Sequence, residues 1–323
     1  MLRLAAGVAG LALLGTGLYV LTPPALVNEV VLPEPIDDVD AYLEAAESAA
    51  GARQPLIPGA EKRITWYDGM QRTPYAVVYL HGFSATRQEI APAAERIANE
   101  LGANLFETRL SGHGLQREVL IDVKAKDWLL DTAEALAIGS GIGERLVVIG
   151  TSTGATLATA MTGHAAMRSV SALVLISPNF APANASAQLL TAPAGPLLAK
   201  LWYGDTRRWE PYNERQARYW ATEYPFDAVV EVMRLVDYTE ARLPLRLDHD
   251  LLVFLSRDDR VVSVAAIDTA LERIDAPRKQ VVEIRDPGDP SHHVLAGDIL
   301  SPGMTETLVS AVVAFVRDRD TGR

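Results

Sequence analysis

Residues 146–158 read LVVIGTSTGATLA. The apolar run Leu146 to Ile149 suits a strand, and the small residues after Gly154 suit a helix. Between them Ser152 stands in Gly-x-Ser-x-Gly, with glycines at 150 and 154. A strand that becomes a helix over so few residues needs a sharp turn, which glycine permits. Such a turn lifts the serine hydroxyl clear of the sheet. An ordinary loop with a capping serine has the same letters, so the rest of the chain must decide.

Strand and helix signals alternate on both sides of this stretch. Ala76 to Leu80, Asn104 to Thr108, Leu173 to Ser177, Leu251 to Ser256 and Gln280 to Ile284 are strand-like, and Arg63 to Tyr67 adds a shorter one. Helical patterns cover Asp37 to Gly51, Asp127 to Ile138, Thr153 to His164, Val262 to Ile274 and Met304 to Arg317. Thr86-x-x-Glu89 has the form of a capping box opening a helix through Leu101. The central strands are almost continuously apolar, which implies cover on both faces and a mostly parallel α/β sheet flanked by helices. From Pro178 to Leu247 the rhythm breaks: no strand is evident, and eight aromatics lie between Trp202 and Phe226. So long an insertion reads as a helical cap rather than a structureless loop. The expected division is a core of residues 36–177 and 248–320 with a cap of 178–247.

The 323 residues are 49% hydrophobic and 22% charged, an ordinary globular balance. A net charge of −11 argues against nucleic acid as a partner, since phosphate binding needs a basic footprint. The chain has no cysteine, which excludes disulfides, thiolate metal sites and cysteine nucleophiles. At the N-terminus, Leu4 to Leu21 carries no charge and follows Arg3. As a helix it would reach about 27 Å, close to the roughly 30 Å hydrocarbon core of a bilayer. Residues 1–22 are read as a membrane anchor, or alternatively as a cleaved secretion signal. With Arg3 on the cytoplasmic side, the body of the chain would face outward.

A serine hydroxyl becomes a nucleophile when a base accepts its proton, and a histidine base needs an orienting carboxylate. The stretch DPSHHVLAGD places His292 and His293 between the last strand and the final helix. LLVFLSRDDRVVS places Asp258 and Asp259 just past a strand end. Serine, acid and base thus follow one another in chain order, each at the carboxyl end of a strand, where open α/β sheets bind ligands. Two backbone amides complete the set as an oxyanion hole: Thr153, at the helix start, and Phe83, in the loop LHGFSATRQE. His81 reads as a structural residue organising that loop.

VVYLHGF, RLSGHG, GTSTG, SRDDRVVS and SHHVLAGD, in this order, resemble the α/β-hydrolase superfamily, especially its carboxylesterase and monoacylglycerol-lipase-like members. The resemblance covers Arg63 to Arg317. It implies Ser152 as nucleophile, Asp259 as the acid because Arg260-Val261-Val262 follow it, and His293 as the base because Val294 follows it. RLSGHG resembles the family's Pro-Gly-His-Gly turn with Ser111 in the proline's place, and its His113 would shape the site. The resemblance also implies ester hydrolysis on a small-molecule or lipid substrate, with no metal or cofactor. An acyltransferase would use the same triad, and a silent binding protein of this fold would need none of it.

Overall fold

The computed structural model describes residues 30, 36 and 38–321, apart from 118. The apolar segment 4–21, expected above to form a hydrophobic helix, lies outside the described residues. Among those residues no helix is long and apolar enough to cross a membrane.

Helix α1 (Val39–Arg53) precedes strands β1 (Arg63–Thr65) and β2 (Thr73–Leu80). Helix α2 (Ala93–Leu101) leads into β3 (Asn104–Glu107), α3 (Ala125–Ile142) into β4 (Gly143–Thr151), and α4 (Thr153–Ala160) is followed by β5 (Val170–Ile176). The insertion holds α5 (Gly195–Tyr203), β6 (Thr206–Arg208), α6 (Glu214–Tyr219), β7 (Glu223–Pro225) and α7 (Phe226–Ala241). After β8 (Leu245–Arg246) come β9 (Asp250–Leu255), α8 (Val264–Glu272), β10 (Ile274–Asp275), β11 (Lys279–Glu283) and α9 (Thr305–Thr321).

Seven strands form one sheet in the order β1-β3-β2-β4-β5-β9-β11. Only β1 runs antiparallel to its neighbour; the other pairings are parallel. In register, Val78 lies beside Val148, Ile149 beside Val174, and Leu175 beside Val253. Successive side chains on a strand point to opposite faces, and here both faces are buried. Val78, Leu80, Val148 and Leu175 pack with α3, α4, α7 and α8. Val77, Tyr79, Ile149 and Phe254 pack with α2 and α9 on the other side. Each such fully buried aliphatic side chain stabilises the fold by about 1.5–3 kcal/mol. This explains why the strands read as unbroken apolar runs.

Two expectations need correction. The Thr86-x-x-Glu89 pattern does not open one helix through Leu101. Thr86 caps only a 3-10 turn, Arg87–Glu89, and α2 begins at Ala93. The reason is Glu89, whose carboxylate turns away from the cap to accept the Gly82 amide and the Tyr79 hydroxyl. The insertion also contains strands: β6 and β7 form a short antiparallel hairpin pairing Thr206 with Pro225 and Arg208 with Glu223. Three-residue strands are too short to show a period in sequence.

Candidate active site

The loops at the carboxyl ends of β2, β4, β5, β9 and β11 converge on one cavity of about 330 Å³, with α6, α7 and the β6–β7 hairpin over it. Ser152 lies between the end of β4 and the start of α4 at φ +52°, ψ −113°, a conformation that a side chain rarely adopts. Its own backbone holds it there. The Ser152 amide donates to Ile176 O at 2.8 Å, and Ser152 O accepts from Thr156 N at 3.1 Å. The two glycines are sterically required. A Cβ at Gly150 would lie 2.7 Å from Ala155 N, and one at Gly154 would overlap Leu80 O. The small residues Ala155 and Ala158 bury α4 against the sheet.

His293 and Asp259 meet at the cavity wall. His293 Nδ1 donates to Asp259 Oδ2 at 2.8 Å, and the Asp259 side chain is 1% exposed. The other carboxylate oxygen, Oδ1, accepts the amides of Val261 at 2.8 Å and Val262 at 2.9 Å. This is the physical content of an aspartate two residues before a valine pair: the turn aims the carboxylate at the histidine. Asp258 is exposed and takes no part in the pair. His292 adopts φ +56°, and its Nδ1 is buried without a partner among the described residues. Ser152 and His293 line the same cavity, with no hydrogen bond between them among the described residues.

Phe83 and Thr153 line that cavity too, and neither amide has an acceptor among the described residues. The loop bearing Phe83 is set by two neutral histidines. His81 Nε2 accepts the Leu110 amide at 3.1 Å and its Nδ1 donates to Gly82 O at 2.9 Å. His113 Nε2 accepts the Ser84 amide at 3.0 Å and its Nδ1 donates to Ser111 O. An amide can only donate, so these partners select the neutral tautomers. Burial agrees, holding His81 down to about 4 and His113 well below its ordinary value.

His293 behaves oppositely. Burial pulls it down, but the charge and hydrogen bond of Asp259, with Glu89 and Asp289 nearby, leave it raised. Burial likewise holds the Glu89 carboxyl above its usual range. A cluster of three or more acidic or histidine side chains placed to hold a metal ion is absent among the described residues.

Sequence reasoning missed two supporting carboxylates. Asp289 Oδ2 accepts the amides of His293 at 3.0 Å and Val294 at 2.9 Å and the Ser291 hydroxyl at 2.5 Å. Ser177 Oγ donates to His293 O at 2.7 Å from the opposite side. The signal was an aspartate opening Asp-Pro-Ser, a turn-forming sequence. The second is Glu89, whose apparent capping box concealed its place on the cavity wall.

A parallel sheet whose strand order reverses between β2 and β4, with a serine on a strained strand–helix turn and an Asp–His pair on the same cavity, defines the hydrolase class of doubly wound α/β proteins. A family model described as the alpha/beta hydrolase family matches residues 77–298, and the chain belongs to that family. A solved structure from work on LipS and LipT, two metagenome-derived lipolytic enzymes, superposes with a TM-score of 0.66 at 21% identity, covering 81% of this chain and 99% of that one. The Paleococcus ferrophilus monoacylglycerol lipase gives 0.57 at 14% identity, covering 79% and 96%. A soluble variant of Saccharomyces cerevisiae monoglyceride lipase, in complex with a substrate analogue, gives 0.56 at 13%, covering 89% and 96%. These likenesses concern the fold. A search of curated proteins finds no match.

Proposed function

We propose that this chain hydrolyses carboxylic esters through an acyl-enzyme on Ser152. The observation that carries the reading is the Asp259–His293 pair at 2.8 Å on the cavity that Ser152 enters from its strained turn. With Nδ1–H committed to Asp259, His293 keeps its Nε2 lone pair for the serine proton. Ser152 Oγ attacks the ester carbonyl, and the Phe83 and Thr153 amides stabilise the oxyanion, each good donor contributing about 3–4 kcal/mol. His293 returns the proton to the departing alcohol, then activates the water that releases the acid.

The substrate side is mostly apolar, with Arg207 bordering both cavities. Trp209, Trp220, Tyr224 and Val232 line the cavity, and Phe83, Tyr224 and Val232 also border an adjoining apolar cavity of about 310 Å³. This favours an ester with a hydrocarbon acyl chain, in keeping with the lipases among the similar folds. A panel of p-nitrophenyl esters and monoacylglycerols of graded chain length tests it. Turnover should extend beyond acetate and vanish in Ser152→Ala; a folded wild-type chain that hydrolyses none of them would refute the proposal.

Residues 1–22 are proposed as an anchor holding the catalytic body outside the cytoplasm, with signal cleavage as the alternative. Intact mass of membrane-extracted protein distinguishes the two.

A further inference from the structure

Helix α5 turns its apolar side outward. Leu197, Leu198, Leu201 and Trp202 are all exposed, Leu201 to 76% and Trp202 to 80%, and Leu189 on the preceding 3-10 turn is exposed to 66%. At 3.6 residues per turn the four α5 residues occupy one arc of about 140°. The opposite side of the helix is the one that packs inward. Ala199 joins Leu190, Phe226 and Met233, Tyr203 stacks on Phe226, and Lys200 pairs with Asp227 at 2.6 Å. A soluble protein rarely leaves so many large apolar side chains together in water.

We infer that this arc of α5 is a docking surface for an uncharged or zwitterionic lipid surface. Three observations select that occupant. The arc offers one hydrogen-bond donor, the Trp202 indole, whereas protein interfaces carry a hydrogen bond for every 100–200 Å². Leucines flanked by an indole suit the boundary between acyl chains and headgroups. The inward side of the same wall, at Leu190 and Tyr203, lines the apolar cavity that adjoins the Ser152 cavity, so a lipid lifted from the surface would meet hydrocarbon on its way in. The uncharged stretch 4–21, on the anchor reading proposed above, would keep this arc close to a bilayer. Its net charge of −11 disfavours an anionic membrane as the partner.

Docking is measured without substrate, so its outcome is separate from that of the hydrolase reading. The full chain is mixed with phosphatidylcholine vesicles whose acyl chains are plain or brominated at mid-chain, and tryptophan emission is compared between wild type and Trp202→Phe. The wild-type minus Trp202→Phe emission should lose at least half its intensity in brominated vesicles. The same difference, taken on a Leu197→Glu/Leu201→Glu background, should lose none. That background should still hydrolyse p-nitrophenyl acetate like wild type if the hydrolase reading holds, and its circular dichroism should be unchanged in any case. Equal Trp202 emission in plain and brominated vesicles would overturn the inference. So would a Trp202 already shielded from acrylamide before vesicles are added, because segment 4–21 or a second copy would then cover the arc.

Discussion

Asp259 decides how His293 titrates, and that makes its role measurable. Burial favours neutral imidazole, yet the adjacent carboxylate outweighs it and holds His293 above 6.5. Protonated imidazole cannot accept the serine proton, so kcat/KM should fall as pH drops through a midpoint above 6.5. Asp259→Asn removes the charge that raises the pKa, so the remaining activity should show that limb at lower pH. It should also lower kcat by about 10⁴-fold, the scale set by a wrong-tautomer variant of another triad. Asp258→Asn should leave kcat within a factor of two. Steady-state pH profiles of the three proteins check all of this. The choice of Asp259 over Asp258 rested on the resemblance, through the Val261-Val262 that follows it, and the structure gives that pattern a physical content: Oδ1 is occupied by the amides two and three residues on. For the companion choice, His293 over His292, the structure shows His293 and not His292 bonded to Asp259.

At the level of elements, the strand-to-helix turn at β4–α4 and the loop carrying His293 are held by different means. The turn is held by close backbone packing, which glycines and alanines announce in sequence. The loop is held by Asp289, which gathers three amides and a hydroxyl, with Ser177 fastening the carbonyl of His293. Asp289→Asn removes the charge and turns one acceptor oxygen into an NH2 donor, so the donors now shared between Oδ1 and Oδ2 cannot all keep an acceptor. It should destabilise the protein by about 1–3 kcal/mol and reduce kcat more than KM, as thermal denaturation and ester kinetics would register. Such a residue is hard to read from sequence because its partners are backbone atoms, which any residue type supplies. Glu89 was hidden for a related reason. Thr86 and Glu89 have the spacing of a local cap, whereas the carboxylate bonds to Gly82 and Tyr79. Local spacing competes with tertiary partners there, and the tertiary partners win.

Across the whole molecule, two apolar layers enclose the sheet, and the insertion is fastened to one of them by α7. Ala228, Val232, Leu235 and Tyr238 join the main core, while Phe226, Val230 and Met233 on other faces of α7 join the packing beneath α5. The helix therefore couples the roof of the cavity to the sheet. Leu235→Ala, at a fully buried position, should cost about 2–5 kcal/mol. Loss of activity and loss of circular dichroism should then coincide in one transition, because roof and sheet share a core. The sheet was legible from its apolar runs. Of the roof only its helical character was legible, since its strands span three residues and α5 directs its leucines outward, against the rule that apolar periodicity marks a core face. The central claim concerns Ser152 as nucleophile, and covalent labelling with a fluorophosphonate tests it most directly. Peptide mapping of the full chain should find one adduct, on Ser152, absent from Ser152→Ala and formed at least about 10²-fold more slowly by His293→Ala. A folded wild-type chain that takes no adduct, or takes it at another residue, would contradict the account.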